Sequence, residues 1–189
     1  MLTNLGQISQ ILGSRKRRVI TEAGRPRACV LVLLYNPPPD YQLIYTLRTQ
    51  KVEHHKGEIS FPGGVQDPED QSLIHTALRE AWEEVGLRSE DVNVLGLLDD
   101  IVTRSNFVVT PVLGRIEPSP YRFIVSEQEV AELLKVPLSH LTDPRNHVPH
   151  PDYPNDPSKA FPSYKFRQHV IFGATALMTN ELLKLLKER

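Results

Sequence analysis

Cysteine is nearly absent. Cys29 is the single one in 189 residues, so no disulfide can close within the chain. It lies in the apolar run ACVLVLLY, where a buried, unreactive thiol is expected. No apolar stretch approaches the length needed to span a bilayer, so no membrane partner is expected. The opening MLTNLGQISQILGSRKRR puts its apolar residues before its charges, the reverse of a secretory signal. The cytoplasm is the expected compartment, and an organelle address stays open. Excess charge is missing too: the formal net charge is −1. That argues against a dedicated nucleic-acid binder. The isolated basic run Arg15 to Arg18 reads as a solvated connector. His54 and His75 show no partner pattern and read as surface residues. The histidines at 140, 147, 150 and 169 fall at no metal-ligand spacing.

What is present suits a soluble domain: 40% hydrophobic and 24% charged residues, enough to bury a core. There is no internal repeat and no evident boundary, so one domain spanning 1–189 is expected. Leu2, Leu5, Ile8, Ile11 and Leu12 recur at helical spacing and predict a short helix over 2–12, followed by a connector to about residue 20. RACVLVLLY (27–35) and YQLIYTLR (41–48) predict two strands of a hairpin around the proline turn at 36–40. Residues 49–71 look irregular. Ser72 is a plausible N-cap for a helix ending at Val85, stopped by Gly86. Leu73, Ala77, Ala81 and Val85 form its buried stripe, with Leu78 and Trp82 widening it. VNVLGLLDDIV and FVVTPVLGRI predict two more strands. SEQEVAELLKVPL (126–138) reads as a capped short helix or turn with an extended exit. Residues 142–165, crowded with Pro, Asp and His, form the longest loop. Residues 170–189 predict an amphipathic helix.

The chemistry is densest in FPGGVQDPEDQSLIHTALREAWEEVGL (61–87). Helical spacing gathers Glu80, Glu83 and Glu84 on one side. Three carboxylates there repel one another unless something offsets them. Arg79 offsets part, and a divalent cation offsets more; an all-oxygen donor set favours Mg²⁺ or Mn²⁺. Gly63 and Gly64 let backbone approach a ligand, and a glycine loop feeding a helix N-terminus offers N–H groups to an anion. A cation site beside a phosphate-friendly loop suits hydrolysis of a phosphoanhydride. At ordinary residue frequencies the pattern Arg-Glu, two residues, Glu-Glu, one residue, Gly arises about once in a million starting points. An incidental surface cluster is therefore set aside.

Residues 63–87 resemble the Nudix box, the signature of hydrolases acting on nucleoside diphosphates linked to another moiety. Arg79 to Leu87 fits its second half at every fixed place. The first half departs: the glycine slot falls on Val65 and the first glutamate slot on Gln71. The loop carries one extra residue, and Asp70 or Glu69 is the candidate replacement for the missing carboxylate. This loop is similar to that of the coenzyme A pyrophosphatase branch of the family. So is the upstream frame of Thr46, Arg48, His55, Gly57 and Phe61 to Gly64, with departures at Thr49, Glu53 and Glu58. TRSNFVVTPVLG, EVAELLKVPL and IFGATALMTNELL also resemble this branch.

The resemblance implies a Nudix α/β/α sandwich with a mixed β-sheet, in the α/β class. It implies Glu80 and Glu84 as the first metal ligands, with Glu83 joining or relaying and Gly64 adding its carbonyl. Arg79 is the orienting residue. A general base outside the box is expected, with Glu129 the first candidate and Glu127 the second. Arg48, His55, Gly63, Gly64 and Arg104 are the candidate substrate contacts; solvation is the reading for Lys51 and Lys56. The implied reaction is Mg²⁺- or Mn²⁺-dependent water attack on coenzyme A or acyl-coenzyme A. It releases 3′,5′-ADP and (acyl-)4′-phosphopantetheine. Two alternatives stand beside it. One is a Nudix hydrolase for ADP-ribose, nucleotide sugars or dinucleoside polyphosphates. The other is a Nudix fold that binds nucleotides without catalysis. The N-terminal helix and the long proline loop are candidates for covering the site or for a homodimer contact.

Overall fold

The apolar run beginning at Ala28 becomes the spine of the sheet because both of its faces are buried. In the computed structural model, which describes residues 7–22, 24–36, 40–50, 57–156 and 161–187, β1 is Arg27–Tyr35. Ala28, Val32 and Leu34 enter one core cluster. Cys29, Leu31, Leu33 and Tyr35 enter the other. This is the two-residue period of a strand, and a near-continuous apolar run is what a strand covered on both sides requires. β2 (Gln42–Arg48) returns antiparallel as the expected hairpin, with Leu33 opposite Ile44.

β3 (Ile59–Ser60) and β4 (Gly63–Val65) are short strands where the sequence predicted irregular chain. Then come α2 (Leu73–Val85), after α1 (Ile8–Ser14), and β5 (Val92–Leu97), β6 (Ile101–Val102), β7 (Val108–Ile116) and β8 (Val130–Pro137). The sheet runs β3-β2-β1-β7-β5, with β4 on β1, β6 on β7 and β8 on β2. β1 and β7 are parallel from Arg27–Val108 to Leu34–Arg115, whereas the remaining pairings are antiparallel. The sheet is therefore mixed. α3 (Leu138–Thr142), the small hairpin β9 (Tyr164–Phe166) and β10 (His169–Ile171), and α4 (Gly173–Lys187) complete the order.

α2 covers one face of the sheet through Ala77, Ala81 and Val85. α1 and α4 cover the other through Ile8, Leu12, Ala176, Leu182 and Leu186. The result is the expected α/β/α arrangement. Among the described residues, no helix is long and apolar enough to cross a membrane.

Several elements differ from expectation. The first helix is described from Ile8, while Leu2 and Leu5 lie outside the described residues. Segment 126–138, by contrast, follows the turn alternative, and its expected extended exit is β8. The C-terminal helix begins at Gly173, because Val170 and Ile171 are used by β10. The basic connector is tied down. Arg15 pairs with Asp99 at 2.9 Å and with Glu181 at 3.0 Å. Arg17 and Arg27 hold the fully buried Asp100 at 2.7 and 3.1 Å. A buried carboxylate demands such partners, and the DD pair of β5–β6 supplied the matching charges.

Trp82 is a second correction: it is 54% exposed. Position 82 flanks the Ala77–Ala81–Val85 row on its solvent side. The flank that turns inward is the opposite one, where Thr76 and Glu84 are buried. Trp82→Ala is accordingly expected to cost under about 1 kcal/mol in urea unfolding, against roughly 3–5 kcal/mol for a core tryptophan. A loss in the core range would contradict this placement.

Candidate active site

α2 is a well-bounded helix, which fixes the angular positions of its charged side chains. The Ser72 hydroxyl accepts from the His75 N–H at 3.1 Å, and Gly86 closes the helix in the left-handed region at φ 66°. With Ala77, Ala81 and Val85 against the sheet, Glu84 and Glu80 are carried to the edge where α2 meets β4. There the two glycines are required by contact. A Cβ on Gly64 would lie 2.4 Å from the Glu80 carboxylate, and one on Gly63 would lie 2.2 Å from the Cys29 carbonyl oxygen. The Gly63 N–H faces Glu84 and favours its ionised form. Gly63 and Gly64 thus form a strand that cradles two glutamates. They pair with β1 as a strand well before α2 begins at Leu73, so they do not form the expected anion loop at that terminus.

Arg79 organises the outer part of the cluster. One side of its guanidinium grips Asp70, with Nε at 3.1 Å and Nη2 at 3.0 Å from the two carboxylate oxygens. Nη1 reaches Glu80 at 2.9 Å and Glu83 at 3.2 Å. Asp70 also accepts from the Asp67 N–H at 3.0 Å and lies 2.9 Å from the His75 ring. The hydrogen bonds from Arg79 hold its carboxyl well below the usual carboxylate range. Asp70, one of the two candidates for the missing box carboxylate, anchors Arg79. His75, read as partnerless from sequence, is half-exposed but bonded to that anchor.

Glu84 carries the strongest physical tension. It is 1% exposed, and burial pushes its carboxyl up to about 8 despite the Arg48 charge beside it. Oε1 lies 3.3 Å from Arg48 Nη1, while Oε2 is buried with no hydrogen-bond partner among the described residues. Burial also raises Glu80, against the pull of Arg79. The charge of Glu129 raises both, so the turn after residue 125 brings this glutamate to the pair. Glu127, on the same turn, is solvent-exposed. Glu83 is exposed as well, with 49% of its side chain open; the three box glutamates do not share one environment.

The structure thus brings together Gly63, Gly64, Arg79, Glu80, Glu84, Arg48 and Glu129, with Glu83 at the rim. Arg48, expected at a phosphate, contacts Glu84. Arg104 is 80% exposed at its side chain and pairs with Asp152 of the proline-rich segment. His55 and Lys51, Glu53, His54 and Lys56 lie outside the described residues. Thr49, which the sequence marked only as a departure from the branch pattern, is hydrogen-bonded to the turn that carries Glu129.

A divalent cation fits the donors present. They are carboxylate and backbone oxygens, the choice of Mg²⁺ and Mn²⁺. A buried carboxylate oxygen without a partner is costly unless a ligand completes it. Among the described residues no three His, Cys, Asp or Glu side chains already stand in a metal-holding group; Glu84 is paired with Arg48, and Glu80 and Glu83 with Arg79. Glu80 and Glu84 are the residues that would hold the ion, with Gly64 and Glu83 adjoining.

The NUDIX domain family model matches residues 25–156. The mouse mitochondrial coenzyme A diphosphatase NUDT8 is 39% identical over 147 residues, covering 76% of this chain and 70% of that protein. The Nudix hydrolase NudL of Pectobacterium atrosepticum is 35% identical over 170 residues, covering 87% and 84%. Two solved structures share the fold at low identity. The Enterococcus faecalis MutT/nudix family protein has a TM-score of 0.55 at 12% identity, over 94% of this chain and 67% of that one. The M. smegmatis Nudix hydrolase RenU has 0.51 at 23%, over 60% and 71%. The matched span and the two relatives place this chain in the Nudix family, and it is a Nudix hydrolase.

Proposed function

We propose that the protein hydrolyses the diphosphate of coenzyme A or an acyl-coenzyme A with Mg²⁺ or Mn²⁺. The products are 3′,5′-ADP and (acyl-)4′-phosphopantetheine. The observation that carries the metal-dependent part is Glu84: a buried carboxylate with one bare oxygen, beside Glu80 and Glu129. The substrate part is supported by the mouse relative named a coenzyme A diphosphatase and by the frame running from Thr46 to Gly64.

When bound, the cation supplies stabilisation of the charge that develops on the phosphoanhydride oxygens. The chain's residues do the remaining work. Arg79, fixed by Asp70, holds Glu80 and Glu83 in orientation. Arg48 offsets part of the Glu84 charge. Glu129, half-buried at the acidic pair, takes the proton from the attacking water, and the exposed Glu127 is left out of that role. As water adds to phosphorus, the bridging P–O bond breaks and one phosphate leaves with each product.

Substrate choice is tested by incubating the purified protein and Mn²⁺ with coenzyme A, ADP-ribose, a nucleotide sugar and diadenosine tetraphosphate. Products are identified by mass spectrometry. Coenzyme A is expected to lead the others by about 10-fold or more in kcat/KM. Preference for a substrate lacking the pantetheine arm would overturn the assignment and favour the other Nudix substrates.

A further inference from the structure

The glutamate assigned as base is carried by a turn, and a turn does not by itself hold a carboxylate to within the fraction of an ångström that proton transfer needs. The turn is secured on two sides. On one side the Ser126 N–H donates to the Glu84 carbonyl at 2.9 Å, and the Ser126 carbonyl accepts from the N–H groups of Glu129 and Val130 at 3.1 and 2.9 Å. On the other side stands Thr49, 8% exposed, immediately after the last residue of β2. Its N–H donates to the Glu129 carbonyl at 2.9 Å, and its hydroxyl donates to the Gln128 carbonyl at 2.8 Å.

The pairing of β2 with β8 shows why a clamp is placed here. Leu47 faces Glu132, but the next residue, Arg48, faces Val130. Ala131 is the extra residue of a bulge, which re-aims the chain next to it and interrupts the ladder. Arg48 and Glu129 are thereby both brought to Glu84. The regular ladder ends at Val130, and Thr49, the residue just past β2, continues the hold on the turn through one backbone and one side-chain bond. A buried hydroxyl that bonds a carbonyl restrains a turn directly.

We propose that Thr49 is a positioning residue: its N–H and hydroxyl together grip the carbonyls of Glu129 and Gln128 and so set the Glu129 carboxylate against the Glu80–Glu84 pair. The inference rests on Glu129 being the base. The hydroxyl contribution is separable, because valine keeps the shape of threonine and removes the hydroxyl, while serine keeps it.

The experiment is a double-mutant cycle on kcat and KM, with Mn²⁺ and whichever diphosphate of the panel above is turned over fastest. Thermal melts confirm that each variant is folded at the assay temperature. Thr49→Val is expected to lower kcat about 10-fold, with KM within about 2-fold, because the misplaced group acts in the chemical step. Thr49→Ser is expected to restore turnover. In a Glu129→Gln background, Thr49→Val is expected to add nothing further. If Glu129→Gln turns over near the wild-type rate, the base reading fails and this inference falls with it. If Glu129→Gln is crippled yet Thr49→Val lowers kcat by the same factor in both backgrounds, the base stands and the positioning role is overturned. Unchanged kcat in Thr49→Val overturns it as well.

Discussion

Replacing Glu84 by glutamine is expected to cut kcat/KM by about 10³-fold and, in the metal-free protein at alkaline pH, to stabilise the fold. The first effect follows from the loss of a charged metal ligand. A bound cation is worth several kcal/mol to a transition state that gathers negative charge, so a loss of about 10³-fold in kcat/KM is expected. The second follows from burial. An unfolded glutamate ionises near 4.5, whereas burial raises the folded Glu84 to about 8. Below pH 4.5 both states are protonated and there is no penalty. Between these values the folded state holds a proton that the unfolded state has released, so stability falls as pH rises. Above about 8 the penalty is complete.

The full shift corresponds to about 5 kcal/mol as an upper limit. Glutamine also leaves Arg48 without its charge partner, so a gain of about 2 kcal/mol at pH 9 is expected. Urea unfolding of the metal-free wild type and Glu84→Gln from pH 5 to pH 9 checks this. The wild type is expected to lose stability across the range and the variant to run flatter. Added Mn²⁺ is expected to stabilise the wild type by linkage and to leave the variant unmoved. Equal pH slopes for the two proteins would show that Glu84 is not buried as described.

Glu129→Gln is expected to lower kcat by about 10²–10⁴-fold, the usual contribution of a general base. Glu127→Gln, two residues away and exposed, is expected to stay within about 2-fold of the wild type, the range of an exposed substitution with no part in the chemistry. The contrast matters because the two glutamates share a turn and a charge. A merely electrostatic influence on the acidic pair would shift metal affinity and so appear at low Mn²⁺. A base remains necessary at saturating Mn²⁺ and substrate, and the rates are therefore compared there. Near-wild-type turnover of Glu129→Gln under those conditions removes the base assignment.

The layered fold and the acidic helix could be read from local patterns, because those patterns are what the chain uses. ACVLVLLY is apolar on both faces and lies between two layers. Ser72 and Gly86 bound α2 by chemistry that sequence shows directly. The misreadings arise where a partner is remote in sequence. Of the two residues expected to widen the apolar stripe of α2, Leu78 packs on the core and Trp82 turns out to solvent. Nothing local says that Glu84, an ionisable residue, is turned inward while an indole is turned out. Asp99, Asp100 and Glu181 lie more than eighty residues beyond the basic connector, so the connector looked solvated. Gly63 and Gly64 suggested an anion loop, and only the pairing with Cys29 and Val30 shows them to be a strand against which Glu80 packs. The role of Thr49 depends on a bulge between strands that eighty residues separate, and no period in either strand announces it.

Local rules failed at the site itself, where a buried glutamate and a bulge each break the ordinary preference. That is where function is expected to override them. The central claim is that Glu80 and Glu84 are held in this costly arrangement to bind a divalent cation. It is tested most directly by anomalous scattering from crystals soaked in manganese chloride. The account predicts a manganese peak within about 2.4 Å of carboxylate oxygens of both glutamates. Manganese bound elsewhere, with Glu80 and Glu84 still engaged only by Arg79 and Arg48, would contradict it.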